Sequence, residues 1–527
     1  MLWADSIAEN AKDRFAEKIR EGKPLIIRDE KTASGRVHVG SLRGVAIHGL
    51  VSEALTDLNV SNAFLFEIND FDPMDGLPVY LDQEKFRKHM GKPLCKVPSP
   101  DEKSLNYAEY FADEFIDVIK EVGFSPNFYR ASEMYSSGRF NKAIEQALKK
   151  ASVIRDIYKK ISGTERPDSW LPISVICENC GKIGTTKATD FDGMTVRYEC
   201  GNFAAWATGC GSSGRVSPFD GKAKLPWKVE WAAKFTVLDV DIEGGGKDHS
   251  TRGGAREVAD AISREVYDRE PPLNIPYEFF LVGGKKMSSS KGEGSSAREV
   301  ASLLPPHMVR FLMAYKEPTK VIDFVPDGDT IPTLFDAFDK YAASFFAGTA
   351  DDYARTIDIS LPSDSAFRGK HLLPRFSLVS YLTQMPHKNI EKEIASFYET
   401  KLNLVDIQEL NLREKYAKYW LSTWAPEDYK FEIQDKLPEE ALLFNEMQKK
   451  TLGDLSEYFQ THNNLSGPVI HAKLHDFKSA SHLSPTDFFS MIYISILGKS
   501  HGPKAGWFLS VLDRDFLIRR FKEASQQ

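Results

Sequence analysis

Between Pro24 and Asn69 four local signals follow one another. Pro24-Leu-Ile-Ile-Arg28 is a short apolar run with the composition of a buried strand. A loop of Thr, Ser and Gly comes next, and a helical pattern starts near Ser41. Asn62-Ala-Phe-Leu-Phe-Glu-Ile-Asn69 then reads as a second buried strand. Strand, loop, helix and strand in this order make a βαβ unit, whose strands lie parallel with the helix across one face. The expected fold class is therefore α/β with a doubly wound parallel sheet.

Four stretches divide the 527 residues. Residues 1–80 carry the βαβ pattern. Residues 81–225 read as an insertion of helices followed by a Gly- and Cys-rich part at 170–215, and the α/β pattern resumes over 226–330. From 331 to 527 nearly everything reads as amphipathic helix, for example Leu334 to Phe346, Glu439 to Gln460 and Pro485 to Leu497. The turn Val325-Pro-Asp-Gly-Asp-Thr-Ile-Pro332 marks the boundary. No window approaches the roughly 18 apolar residues of a membrane span, and the N-terminal segment has no apolar block of the secretory kind. Five cysteines in a chain this long are no disulfide scaffold, which points to a reduced cytoplasm. A net charge of −7 excludes a protein that grips nucleic acid over its whole surface, but leaves room for a local basic groove.

Two loops carry chemistry. In Thr32-Ala-Ser-Gly-Arg-Val-His-Val-Gly-Ser-Leu-Arg43, Gly35 and Gly40 let a ligand approach the backbone, because neither has a Cβ. Ser41 is placed to cap the helix, whose free N–H groups favour an anion such as phosphate, and Ser34 and His38 would stand beside it. A plain strand-to-helix turn with a packed histidine accounts for this segment equally well. The second loop, Gly283-Gly-Lys-Lys-Met-Ser-Ser-Ser-Lys-Gly292, offers hydroxyls and ammonium groups to a polyphosphate. Its bland alternative is a solvated surface loop. Both loops in one chain argue against coincidence.

With both loops in view a resemblance emerges. His38-Val-Gly-Ser41 resembles the HIGH signature of class I aminoacyl-tRNA synthetases, and Lys286-Met-Ser-Ser-Ser290 resembles their KMSKS signature. Asn69-Asp-Phe-Asp72, Trp227-Lys-Val-Glu-Trp231, Gly246-Lys-Asp-His249, Ala425-Pro-Glu-Asp-Tyr-Lys-Phe431, Gly498-Lys-Ser-His-Gly-Pro-Lys504 and Asp513-Arg-Asp-Phe-Leu-Ile-Arg-Arg-Phe521 are similar to segments of the class I lysyl-tRNA synthetases. The resemblance implies a Rossmann-like catalytic domain with an inserted, acceptor-binding zinc-knuckle region, then an all-α helix-cage domain for the anticodon. It implies a lysine–tRNA ligase: ATP and Mg²⁺ activate L-lysine to the adenylate, which is transferred to the 3′ end of tRNA(Lys). His38, Lys286 and Lys291 would be catalytic. Ser34, Gly35, His38, Gly40, Ser41, Asp248, His249, Met287, Ser288, Ser290 and Lys291 would bind ATP. The chain departs from the signatures at Ser41, where HIGH has its second histidine, and at Ser289, where KMSKS has lysine, so Lys291 or Lys285 must supply that charge.

A lysine side chain calls for an aromatic wall and a carboxylate. Trp227, Glu230, Trp231 and Tyr277 supply these types, and Thr32, Ala33 and Asp70 are candidates for the backbone end of the substrate. Core packing explains either tryptophan taken singly. Glu230 stands where the resembling enzymes often have aspartate, and Pro73-Met-Asp-Gly76 replaces a basic run with an acidic one. Cys177-x₂-Cys180, nineteen residues, then Cys200-x₉-Cys210 is a tetrathiolate spacing that suits structural Zn²⁺, with four small buried residues as the alternative. Cys95 reads as a buried thiol, and Ser99, Lys103, Ser104 and Tyr110 offer no second zinc site. Lys499, His501, Lys504, Arg514, Arg519, Arg520 and Lys522 cluster near Trp507 and Phe508, a mixture that suits unpaired bases. Half or more of such a run is ordinarily just solvated helix face. The expected partners are tRNA(Lys), L-lysine and ATP, with no membrane, for a monomeric cytoplasmic enzyme. Two alternatives remain at this stage: the same chemistry with glutamate or arginine, and an RNA-binding relative without catalysis.

Overall fold

β1 (Leu25–Thr32) runs past Arg28 to Thr32, where the Thr/Ser/Gly loop begins, and β2 (Asn62–Asn69) has the expected bounds. They pair in parallel from Leu25 opposite Asn62 to Thr32 opposite Asn69. The computed structural model describes residues 1–284, 295–385, 388–463, 465–502 and 505–527. Between the two strands lies α1 (Val39–Asp57), most of whose residues are buried, from Val39 and Leu42 to Ala54 and Leu55. Such a helix is apolar all round instead of striped, because packing covers it on several sides.

β2 pairs in parallel with β3 (Asn127–Arg130). On the other edge of β1, Ile27 bridges Ile242 and Ile242 bridges Leu273, both in parallel. The pairing continues from β4 (Gly245–Gly246) to β5 (Pro276–Tyr277). α2 (Trp227–Val237) leads into β4, and α3 (Ala255–Tyr267) connects β4 to β5. The strand order β3-β2-β1-β4-β5 reverses direction between β1 and β4. In doubly wound sheets that crevice, at the carboxyl ends of the strands, is where ligands bind. The expected α/β class with a parallel sheet holds.

The Cys-rich part leaves and re-enters this body through an antiparallel pair, Ser174–Val175 with Ala223–Lys224. Its own sheet is an antiparallel meander of Thr186–Phe191, Val196–Cys200 and Ser213–Val216.

The chain separates into two units. One comprises Met1–Val325 and Lys340–Ser365, the other Pro326–Asp339 and Ala366–Gln527. Among the described residues the second unit contains helices and no strand, as expected. Pro485–Leu497 has the expected bounds, with Ser484 accepting from the Asp487 amide and Gly498 at φ +67° closing it. Two expectations shift. The helix expected from Leu334 begins at Thr330. The one expected from Glu439 to Gln460 is a 3₁₀ turn, Glu439–Leu443, followed by a helix over Glu446–Thr461. Asn445 starts that helix with a capping box to Gln448, a local signal that overrides the continuous apolar period. Trp420 and Arg413 are fully buried in this unit, Arg413 held by Glu409 and Asp339. Among the described residues no helix is long and apolar enough to cross a membrane.

Candidate active site

A cavity of about 340 Å³ opens at the crevice between β1 and β4. His38, Gly40 and Ser41 line it at the start of α1, Asp248 and His249 just after β4, and Thr32, Trp227, Trp231 and Tyr277 around them. Nine of the residues singled out from the sequence thus face one space. Ser34, Gly35, Ala33, Asp70 and Glu230 are not among its lining residues. Lys286, Met287, Ser288, Ser290 and Lys291 lie outside the described residues.

α1 begins at Val39, so its cap is His38, in extended backbone at φ −75° and ψ 155°, and not Ser41. The Ser41 amide donates to the His38 carbonyl at 3.0 Å. Gly40 is needed here because a Cβ on it would stand 2.9 Å from His38 Nδ1. The segment after the Lys- and Ser-rich loop returns to this point: His38 and Ser296 form an antiparallel bridge, and the Val39 amide donates to the Ser295 carbonyl at 3.4 Å. The first of the two loops and the residues that follow the second, Ser295 and Ser296, therefore meet at the start of α1.

Two buried side chains that sequence reasoning missed hold α1 in place. Arg43 donates to the carbonyls of Glu278 and Phe279 at 2.9 Å and of Lys320 at 2.5 Å. His48 Nδ1 lies 2.8 Å from the Gly44 carbonyl, and its Nε2 accepts from the Gly244 amide at 2.8 Å. Nothing local in the sequence marks either role, because the Glu278, Phe279 and Lys320 carbonyls and the Gly244 amide that anchor them lie far along the chain.

Beneath the cavity runs a buried ionic network. Arg28 Nη1 donates to Glu243 Oε1 at 2.6 Å, and its Nη2 reaches Glu67 at 3.0 Å as well as Glu30. Lys234 donates to Glu30 and Glu67, each at 2.7 Å, and lies 3.3 Å from Glu230. Lys224 binds Glu230 at 2.5 Å and Asp72 at 3.0 Å. Asp72 in turn accepts from the Thr32 hydroxyl at 2.8 Å. Burial would raise the Glu30 carboxyl, yet Lys234 and Arg28 hold it far below the ordinary range. Burial wins at Glu243, whose carboxyl is raised. Burial likewise pushes the Lys31 ammonium, in the cavity wall, down to about 8.

Two expected pocket carboxylates are therefore engaged elsewhere. Glu230, 2% exposed, accepts from Tyr135 at 2.8 Å and from Lys224, since the helical turn aims it into the core and not at the cavity. Asp70 accepts from the Ser132 amide at 2.8 Å and hydroxyl at 2.5 Å, and burial raises its carboxyl. Trp227 and Trp231 do form a wall, stacked at 6.2 Å and 24°, with the His249 ring edge-on to both.

Away from the cavity, the Sγ atoms of Cys177, Cys180, Cys200 and Cys210 all lie within 4.8 Å of one another. Cys177 and Cys210 are 3.6 Å apart, Cys180 and Cys200 3.8 Å. Tetrahedral zinc with bonds of about 2.3 Å needs sulfurs about 3.8 Å apart, so the four could hold such an ion. Gly181 at φ +72° and Gly211 at φ +80° make the tight turns after Cys180 and Cys210. Cys95 is partly buried, and burial pushes its thiol up to about 12.

A family model described as tRNA synthetases class I (K) matches residues 1–361. The chain belongs to this family. A lysine–tRNA ligase of Methanosarcina barkeri is 32% identical over 99% of this chain and 97% of its own length. Those of Archaeoglobus fulgidus and Methanocaldococcus jannaschii are 31% and 30% identical, each over 99% of this chain.

In the synthetase's all-α unit, several of the basic residues expected to meet RNA serve the fold. Arg520, 2% exposed, donates to the carbonyls of Ser495 and Gln434. Arg514 caps a helix end at the Phe459 and Gln460 carbonyls, and Phe508 is core. Arg519 and Lys522 are exposed, as is His501, which pairs with Asp428 at 2.8 Å. Lys504 lies outside the described residues. A cavity of about 600 Å³ in this unit is lined by Arg375, Phe397, Tyr398, Tyr429 and Trp507.

Proposed function

We propose that this class I synthetase is a lysine–tRNA ligase, which activates L-lysine with ATP and Mg²⁺ and transfers it to the 3′ end of tRNA(Lys). The observation that carries the reading is the cavity in which His38, Gly40, Ser41, Asp248 and His249 share one space with an aromatic wall, and the bridge from His38 to Ser296 beside it supports the same reading. Adenylate formation needs little proton chemistry. The lysine carboxylate attacks the α-phosphorus in line, and the catalyst chiefly aligns the reactants and offsets charge on the phosphate. The amides of the first turn of α1, with His38, receive the phosphates. Lys286 and Lys291 meet the departing pyrophosphate, Mg²⁺ enters as the counter-ion of ATP, and Asp248 and His249 take the nucleoside. Thr32 and Tyr277 face the amino acid, with Trp227 and Trp231 along its stem.

The four-cysteine cluster holds structural Zn²⁺, closed to catalysis by its full set of four ligands. The insertion at 81–225 receives the tRNA acceptor end. The helical domain at 331–527 receives the anticodon, whose bases stack among Tyr398, Tyr429 and Trp507 with Arg375 beside them. The enzyme acts as a cytoplasmic monomer.

Aminoacylation of total tRNA with each labelled amino acid, together with pyrophosphate exchange run with and without tRNA, tests the reading. Charging by lysine alone, abolished by Lys291→Ala, is expected. Charging by another amino acid would retain the chemistry and overturn the substrate. Tight tRNA binding without charging would make the chain an RNA-binding protein.

A further inference from the structure

We infer that the Lys31 ammonium contacts the α-phosphate of ATP at the start of α1 and stays on that phosphate in the adenylate. The inference rests on the proposed adenylate-forming activity and deepens it. Lys31 is the only lysine or arginine among the described residues that line the cavity, which otherwise presents the carboxylates of Asp29, Glu30, Glu243, Asp248 and Glu278. Such a lining repels a nucleotide that carries several negative charges unless a cation offsets it. Lys31 is partly buried near the end of β1. Its Nζ is not among the sealed, unpartnered polar atoms of the interior. With no hydrogen bond or ion pair to any described residue, the ammonium is open to the cavity it lines.

The alternation of β1 decides which way this charge faces, because successive side chains of a strand point to opposite sides. Arg28, Glu30 and Thr32 turn toward the ionic network, where Glu30 meets Lys234 and Thr32 meets Asp72. Asp29 turns toward α1, and its Oδ2 stands 2.8 Å from where a Cβ on Gly44 would lie. Lys31 shares that side. Strand and helix run in opposite directions, so the step of about 6.6 Å from Asp29 to Lys31 leads from Gly44 back by about one helical turn. That turn is the first of α1, where His38, Gly40 and Ser41 line the same cavity. Asp29 does not form an ion pair with Lys31: its Oδ1 accepts from the Glu30 amide at 2.8 Å and its Oδ2 lies 3.6 Å from His48. Burial works against an ammonium left in this way, a cost that a phosphate partner removes. As the substrate carboxylate bonds to the α-phosphorus and the bond to pyrophosphate breaks, charge stays on the non-bridging oxygens. An ammonium beside them offsets it without moving a proton.

The test is pyrophosphate exchange with the full chain and tRNA present, followed as a function of pH. Of the titratable groups that share the cavity, His38 caps α1, Asp248 and His249 follow β4, and Tyr277 and Glu278 stand at the end of β5, yet Asp29 alone acts on the Lys31 charge. In the wild type kcat/KM for ATP should fall as pH rises through about 8, where the ammonium of the free enzyme loses its proton. Lys31→Arg, whose guanidinium stays charged, should retain most of the rate and lose that fall. Lys31→Met should lower kcat/KM for ATP roughly a hundredfold, the effect of removing one donor from a charged transition state, with the KM for lysine unchanged. A wild-type rate in Lys31→Met, a loss confined to the KM for lysine, or the same alkaline fall in Lys31→Arg each overturns the inference. A wild type that exchanges with another amino acid overturns the lysine assignment and leaves this test in force, because the phosphate chemistry is the same. A wild type that exchanges with no amino acid overturns the functional reading, and this inference with it.

Discussion

Lys31 and Glu30 are neighbours on β1, yet burial acts on them with opposite results. Glu30 has Arg28 and Lys234 for company, so its charge persists. Lys31 faces Asp29 as its one charged influence, and desolvation prevails, lowering its ammonium to about 8 from an ordinary value of about 10.4. The unfolded chain therefore holds a proton between pH 8 and 10 that the folded chain has released. Stability contributed by this group rises with pH through that window, and the full cost of burying the ammonium is felt below pH 8. Lys31→Met should accordingly be more stable than wild type at pH 7, by on the order of 1 kcal/mol given the partial exposure of the site. It should also lose the rise between pH 8 and 10. Urea unfolding at pH 7 and pH 9.5 checks both, and equal pH dependence in the two proteins would refute the argument.

At the scale of elements, close packing outweighs intrinsic preference. Gly49 lies within α1, where alanine would gain about 1 kcal/mol by helix propensity alone. A Cβ there would stand 2.4 Å from Cδ1 of Phe124, a ring only 2% exposed that has no room to retreat. Overpacking of this kind costs about 1–3 kcal/mol, so Gly49→Ala should lower the melting temperature despite the better helix former. The cysteine cluster makes a second element-scale prediction. Purified protein should carry one zinc per chain by elemental analysis. Cys200→Ser, which removes a buried ligand beside Thr185, should lose it together with the order of the meander in residues 186–216. The clustering of the cysteines was legible from their spacing because tight turns at Gly181 and Gly211 bring thiols close together. The cap of α1 was misread at Ser41, because the choice of His38 depends on Ser295 and Ser296, which return from far along the chain.

For the whole molecule, a net charge of −7 means that RNA must be received by local cationic surface against an unfavourable mean field. Of the C-terminal basic residues, Arg514 and Arg520 spend their donors on backbone carbonyls, whereas Arg519 and Lys522 are exposed. Arg519→Ala with Lys522→Ala should weaken tRNA binding severalfold and flatten its salt dependence by up to about two units of slope. Arg520→Ala should instead lower stability. Binding measured from 50 to 200 mM salt separates the two kinds of arginine, and an unaltered slope in the double variant would remove these residues from the interface.

Strand identity, the α/β class, the helical C-terminal third, the four clustered cysteines and both signature segments were determined by local pattern. Apolar runs, glycine placement and short ligand spacings act over a few residues and survive without tertiary context. Which carboxylate faces the cavity was decided only by folding. Glu230 and Glu243 are the same residue type, but the α2 turn delivers one to Lys224 and Lys234, while the approach to β4 delivers the other to the crevice beside Trp231. Charge pairing across a sheet depends on strand order and helix rotation, and neither is written within any one segment.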